Sequence, residues 1–256
     1  MNIGFIGSGG ITKAVVTGLC RSSLNVESIA LSPRNAETAA ELARLDDRVR
    51  VCESNQRVLD ACDVACIAVL PGVATDVLHA LAFRPEHTVI SFVAGLTIEQ
   101  LARCIGAGAR IVRAIPLPAT AHGFGSTVIH PPNEHAAALF SAVGAAVEVS
   151  EERQFDAFSA ATATMSTYYT FVEAQAKWLV KEGVPYDRAR AFLSGYYSGL
   201  AQMAQLGHDS FADLAMQCTT EGGINALMHS KLESEGFFAQ IGSAMNAVAE
   251  RLNANA

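Results

Sequence analysis

Gly7 and Gly9 stand two residues apart in "FIGSGGITKAVVTGL" (5–19), after an apolar run and before a helix-like pattern. Such a pair suits an anion. The first glycine lets a strand turn tightly, the second lets backbone approach a phosphate without a Cβ, and the amides of Gly10, Ile11 and Thr12 would face the phosphate from a helix N-terminus. Alone, the spacing G-x-G-x-x-T fits a plain turn equally well; at the head of alternating strand and helix units it points to a dinucleotide. The expected phosphate loop is Gly7, Ser8, Gly9, Gly10 and Ile11. Thr12 stands where a third glycine is usual, so either the helix stands off the strand or the Thr12 hydroxyl caps the helix or touches a phosphate.

The end of the second strand selects between dinucleotides. A carboxylate there would grip the ribose 2′-hydroxyl of NADH, whereas an arginine with small polar neighbours accommodates the 2′-phosphate of NADPH. "ALSPRNAE" (30–37) supplies Ser32, Arg34 and Asn35, with no carboxylate before Glu37. Ser-Pro and Asn are also ordinary turn and cap residues. A guanidinium pairs bidentately with phosphate, so NADPH is favoured and NADH stays open. Two further strand ends, "AVLPG" (68–72) and "FVAGLT" (92–97), are expected to border the same crevice through Ala68, Leu70, Pro71, Ala94 and Gly95.

These residues need a sheet to hold them. Apolar runs at 2–7, 28–32, 49–52, 63–70, 87–94, 110–115, 126–131 and 145–150 alternate with helical patterns near 10–20, 35–44, 73–82, 97–104 and 133–143. That alternation predicts an α/β fold with a doubly wound (Rossmann) parallel sheet, helices on both faces. Beyond residue 150 the period is helical to the end, which predicts a Rossmann domain over 1–152 and an all-helical domain over 153–256. Residues 155–183 read as one helix of about 40 Å, closed by Gly183 before Pro185. A second helix runs from a cap at Asp187 to Gly207. Asp209 or Ser210 caps a third, another follows Gly222–Gly223, and 237–254 is the last.

Composition narrows the classes. Half of the 256 residues are hydrophobic and 17% are charged, which excludes a disordered chain. A net charge of −7 without a Lys/Arg cluster argues against nucleic acid. No basic region precedes an apolar stretch at the N-terminus and no long uncharged apolar span occurs, so neither a leader nor a membrane helix is expected. Cys20, Cys52, Cys62, Cys66, Cys104 and Cys218 are irregularly spaced and mostly in apolar segments, as reduced thiols of a cytoplasmic protein are. Cys62 and Cys66 lack a second Cys or His pair, so no metal is expected.

The order of "IGFIGSGGI", "SPRN", "AVLP", "SFVAGLTIEQL", "RIVRAIPLPA" with "GFGST", "DAFSAATATMSTYYTFVEA" and "QCTTEGGINAL" resembles the pyrroline-5-carboxylate reductase family over nearly the whole chain. The resemblance is strongest in the N-terminal half. It implies a Rossmann domain, a helical dimerisation domain, NADPH or NADH as hydride donor, and reduction of pyrroline-5-carboxylate to proline. It also implies homodimers through interlocked C-terminal helices, with a substrate site shared with the second subunit and further assembly in some members.

Three segments depart from the family pattern. Leu117 stands where "PNTP" carries asparagine, "ATATMSTYY" (161–169) replaces "SGSGPAY", and "TTEGGIN" replaces "SPGGTT", with Ile224 and Asn225 for two threonines and Glu221 for proline. Reducing a C=N bond requires little beyond placing the imine carbon against the nicotinamide, excluding water and binding the carboxylate. Thr220, Gly222, Gly223 and Asn225 are the expected carboxylate donors. Glu221 would repel that carboxylate unless it faces away or holds a cationic amine, which suggests a substrate other than the usual one.

Thr164, Ser166 and Tyr168 are the chosen hydrogen-bond donors among Ser159, Thr162, Thr167 and Tyr169. The bland alternative is that small residues allow close helix packing and the tyrosines anchor an interface, as do Trp178, Tyr196 and Tyr197. His122 and His229 read as surface or packing residues, having no carboxylate placed to orient them. Two rivals remain: a catalytically silent NADP-binding regulator, suggested by the replaced segments, and a β-hydroxyacid dehydrogenase, whose lysine base would be Lys177 or Lys181.

Overall fold

A computed structural model describes residues 1–106 and 108–254. Eight strands, β1 (Asn2–Ile6), β2 (Ser28–Leu31), β3 (Val49–Val51), β4 (Val64–Ile67), β5 (Thr88–Ser91), β6 (Arg110–Ile115), β7 (Ser126–His130) and β8 (Ala145–Glu148), form one sheet in the order β3-β2-β1-β4-β5-β6-β7-β8. Helices α1 (Gly10–Arg21), α2 (Ala36–Ala43), α3 (Asn55–Asp60), α4 (Pro71–His79), α5 (Ile98–Ile105) and α6 (Glu134–Ala142) connect them.

Every residue of β4 and β5 is buried, because a strand covered on both faces has no solvent side on which to alternate polar residues. On one face Ile3, Phe5, Ile29, Leu31 and Cys66 pack with Val15, Leu19, Leu42 and Phe140 of α1, α2 and α6. On the other Ile6, Ala30, Ile67 and Val89 pack with Val58, Ala74, Leu78 and Leu101 of α3, α4 and α5.

All expected strands are present, but the sheet is not wholly parallel: β7 runs antiparallel to β6, with Arg113 opposite His130. The ten residues 116–125 are too few for a crossover helix and hold only a 3-10 turn, Pro118–His122. α3, at six residues, is shorter than a hydrophobic period can reveal.

The chain divides into two compact units, one of Met1–Ser159 with the chain end from Ala249, the other of Ala160–Val248. The expected single helix over 155–183 is two, α7 (Glu152–Thr162) and α8 (Thr164–Lys181). At the break the Thr164 hydroxyl donates to the Ala161 carbonyl (2.7 Å) and the Ala163 amide to Ala160, both three residues back, which displaces the i→i−4 ladder. Then come α9 (Tyr186–Leu206), α10 (Phe211–Gln217), α11 (Ile224–Ser234) and α12 (Phe237–Ala254). Pro185, not Asp187, occupies the cap position of α9, and Ser210 caps α10 in a reciprocal box with Asp213.

The second unit's small core is Ala176, Ala189 and Leu193, flanked by Val172, Leu179, Val184 and Tyr197. Trp178, Tyr196, Met203, Phe211 and Leu227 lie exposed. Tyr197 is half-buried, its hydroxyl paired with the Gln175 side chain.

Candidate functional site

The sheet reverses its direction of winding at β1 and β4, and a crevice outside the carboxyl ends of those strands is where such sheets bind nucleotides. Gly7 leaves β1 with φ +104°, and a Cβ on it would lie 2.4 Å from the Ala68 carbonyl oxygen. Any other residue here would be strained and in collision. Gly9 and Gly10 are the opposite case, since no atom lies within 4 Å of where their Cβ atoms would be. Their side of the loop is open.

α1 begins at Gly10 without a side-chain cap. Its first backbone bond runs from the Lys13 amide to the Gly9 carbonyl (2.9 Å), so the amides of Gly10, Ile11 and Thr12 precede the ladder. An uncapped helix start beside two open glycines fits a diphosphate, whose charge those amides and the helix dipole would both favour. The residues present therefore fit a dinucleotide. Thr12 does not take part as expected: it is fully buried and its hydroxyl donates to the Gly7 carbonyl (2.5 Å), bracing the loop from behind.

Ser32 is likewise inside. Its hydroxyl accepts the Gly7 amide (2.9 Å) and lies 3.1 Å from Ser8 Oγ, while the Ser8 hydroxyl donates to the Ser32 carbonyl (2.6 Å). Ser8 and Ser32 thus fasten the loop of β1 to the end of β2. Arg34, two residues on, is exposed, and Asn35 caps α2 by accepting the Thr38 amide (3.4 Å). Ala68 lies behind Gly7, and exposed Leu70 and Pro71 open α4, which also lacks a side-chain cap. Exposed Ala94 and half-buried Gly95 (φ +79°) turn the chain after β5. The turn ends in a reciprocal cap, the Gln100 amide donating to Thr97 Oγ1 (3.2 Å) and the Thr97 amide to Gln100 Oε1 (2.9 Å).

In the helical unit, Thr164, Ser166 and Tyr168 are exposed on the first turns of α8. Tyr168 and Asn225 line one groove of about 720 Å³ together with Tyr196, Leu200, Phe211 and Cys218. Asn225 is partly committed, its amide donating to the Cys218 carbonyl (2.9 Å). Thr220 accepts the Gly223 amide on its carbonyl (2.9 Å), Gly222 takes φ +72°, and Gly223 precedes α11, which like α1, α4, α8 and α9 starts without a side-chain cap. Lys177 is exposed and paired with Glu173 (3.6 Å), while His229 stacks on Phe238 and His122 is exposed.

Pyrroline-5-carboxylate reductase from Escherichia coli is 30% identical over 97% of this chain and 96% of its own length. The chain belongs to the pyrroline-5-carboxylate reductase family. The Pseudomonas aeruginosa reductase is 28% identical over 97% of the chain and 94% of its own length. A family model for pyrroline-5-carboxylate reductase dimerisation matches residues 152–254, and one for coenzyme F420-dependent NADP oxidoreductase matches residues 2–95. Among solved structures, the Streptococcus pyogenes reductase shares the fold with a TM-score of 0.85 at 24% identity, covering 99% of this chain and 98% of that one. The Plasmodium falciparum enzyme, solved with NADP bound, gives 0.84 at 22% identity, covering 100% of this chain and 98% of that one.

Within this reductase fold, Leu117 is half-buried and directs its carbonyl to the amide (3.0 Å) and hydroxyl (2.8 Å) of Thr120, so its main chain is engaged where the side chain has no donor. The sequence reading passed over Arg113, which is 4% exposed on β6 and pairs with Glu152 (2.8 Å) and Asp156 (2.9 Å) of α7. An arginine inside the apolar run "RIVRAI" is the signal that was available, because a guanidinium is almost never buried without partners. Carboxylates four apart at the head of α7 are the partners it needed.

Proposed function

We propose that this chain reduces pyrroline-5-carboxylate to proline with NADPH, as a homodimer in the cytoplasm. The observation that carries the reading is the open, uncapped loop at Gly9 and Gly10, in a chain of which 97% aligns with the Escherichia coli reductase. In the reaction, pyrroline-5-carboxylate, NADPH and a proton give proline and NADP⁺. When bound, the nucleotide supplies a hydride from its nicotinamide C4; the imine nitrogen, protonated, takes up the electron pair of the C=N bond.

The protein's part is binding and placement. The amides of Gly10 and Ile11 hold the diphosphate, Ser8, Thr12 and Ser32 keep the loop in shape, and Arg34 receives the 2′-phosphate. The turns at Ala68–Pro71 and Ala94–Gly95 border the nucleotide. Thr220, Asn225 and the amides that follow Gly223 receive the substrate carboxylate, with Ser166 and Tyr168 as hydroxyl donors beside it; Thr164, whose proton goes to the Ala161 carbonyl, offers only its oxygen as an acceptor. Tyr168 and Asn225 sharing one groove supports their acting together. A second copy of the chain is the proposed cover for the aromatic residues that α8, α9 and α10 leave exposed. The cytoplasm keeps thiols such as the six here reduced.

Loss of NADPH absorbance on adding pyrroline-5-carboxylate, with piperideine carboxylates as comparators, tests this. Turnover highest with pyrroline-5-carboxylate is expected. NADPH binding without turnover of any cyclic imine would leave a nucleotide-binding protein that is not a reductase.

A further inference from the structure

Arg113 is buried in the sheet, and burying a guanidinium is costly unless anions receive it. Its Nη1 donates to Glu152 Oε1 (2.8 Å) and forms an ion pair with Asp156 Oδ1 (2.9 Å), and its Cζ lies 4.3 Å from the centre of the Phe155 ring between them in sequence. The same Glu152 oxygen also accepts the amide of Ile98 at 2.8 Å. Ile98 is the first residue of α5 and follows Thr97, the last residue of the turn that begins at Ala94. One carboxylate oxygen thus joins β6 to the backbone of that turn. Ala94, Gly95 and Thr97 are, with Arg113, Asp156, Ser159 and Leu252, the walls of a cavity of about 20 Å³, room for about one water. Arg113 Nε, also buried, has no hydrogen-bond partner.

We propose that Arg113 and Glu152 are positioning residues for the nicotinamide end of the dinucleotide. Arg113 fixes the Glu152 carboxylate, Glu152 fixes the Ile98 amide, and the height of the Ala94–Gly95 turn follows. This rests on the reading above that the turn borders the nucleotide, and on the strand order, in which β5 lies on the other side of β1 from β2, whose end receives the 2′-phosphate. A misplacement of about 1 Å at a reacting centre costs on the order of a hundredfold in rate, so a tether of this kind acts on turnover without touching substrate.

The test compares binding of NADPH with that of ADP-ribose 2′-phosphate, which lacks the nicotinamide, in the full-length wild type, Glu152→Ala and Glu152→Gln. Exchange of the Ile98 amide and kcat are read alongside. The proposal expects Glu152→Ala to bind the truncated nucleotide as wild type does, to bind NADPH several-fold more weakly, to exchange the Ile98 proton faster and to lose about tenfold or more in kcat. Glu152→Gln, whose carbonyl still accepts the amide, restores part of each.

Equal weakening of both nucleotides, or no change in either with kcat intact, would overturn it. If Glu152→Ala does not fold, Glu152→Gln against wild type carries the same comparison. A wild type that binds NADPH but reduces no imine removes the kcat measurement together with the proposed reaction; the ratio of the two nucleotide affinities then decides the positioning role alone.

Discussion

The hydroxyl of Ser32 accepts the amide of Gly7 at 2.9 Å, with both the serine and the strand end that carries it withdrawn from solvent. Ser32 therefore shapes the Gly7–Gly10 loop from behind. Ser32→Ala would strand a backbone donor and is expected to destabilise the protein by about 1–3 kcal/mol. NADPH and NADH should weaken by the same factor, which titration of each nucleotide against the variant reads directly.

Arg34 makes the contrasting prediction. Exposed beyond the buried end of β2, it is free of the structural duties that Ser32 carries. Arg34→Glu should leave the melting temperature unchanged, weaken NADPH by about tenfold or more through loss of a charge-assisted pair, and leave NADH nearly untouched. Equal effects on the two cofactors would count against the assignment of the 2′-phosphate.

The two loop glycines should separate stability from binding. Gly7→Ala combines a positive φ with an approach of 2.4 Å to the Ala68 carbonyl, so a loss of about 2 kcal/mol or more is expected in urea unfolding. Gly9→Ala meets nothing within 4 Å. It should unfold as the wild type does yet bind nucleotide at least about tenfold more weakly, its methyl lying where the diphosphate must come.

His87 ties stability to pH. It is fully buried, its Nδ1 accepts the Arg84 amide (3.0 Å), and its Nε2 faces the Leu59 carbonyl at 3.1 Å. Burial first, and the Arg84 charge second, lower its pKa below the ordinary imidazole value, against the pull of the Leu59 and Cys62 carbonyls and Glu86. The unfolded chain then binds the proton more readily than the folded one in the window below about 6.5. Stability from this group is complete above that value and is lost as pH falls through the window to the lowered folded pKa. Unfolding free energies of wild type and His87→Gln, measured from pH 7.5 down to pH 5, should converge as the pH falls; a constant gap would exclude the linkage.

Much of this was legible because strands covered on both faces carry near-continuous apolar residues, as "VACIAVL" (64–70) does. Strand direction leaves no such mark, so β7 was misread as parallel; the ten-residue connection before it held the information. The tight turn after β1 was legible in Gly7 and Gly9, but the inward turn of Ser32 and Thr12 was not, since a hydroxyl at a strand end reads alike whether it meets a ligand or a backbone group. The break at Ala163 was hidden because threonines pass as helix residues until their hydroxyls find carbonyls three residues back. Arg113 was the clearest miss, a charge in an apolar strand whose partners lie some forty residues on, at Glu152 and Asp156.

Transfer of deuterium from nicotinamide-deuterated NADPH tests the central claim most directly. Purified protein given pyrroline-5-carboxylate and NADPH carrying deuterium at the transferable C4 position should yield proline with one deuterium on ring carbon 5, in amount equal to the NADPH consumed. Proline without the label, or labelled NADPH left intact beside unreacted imine, would contradict the account.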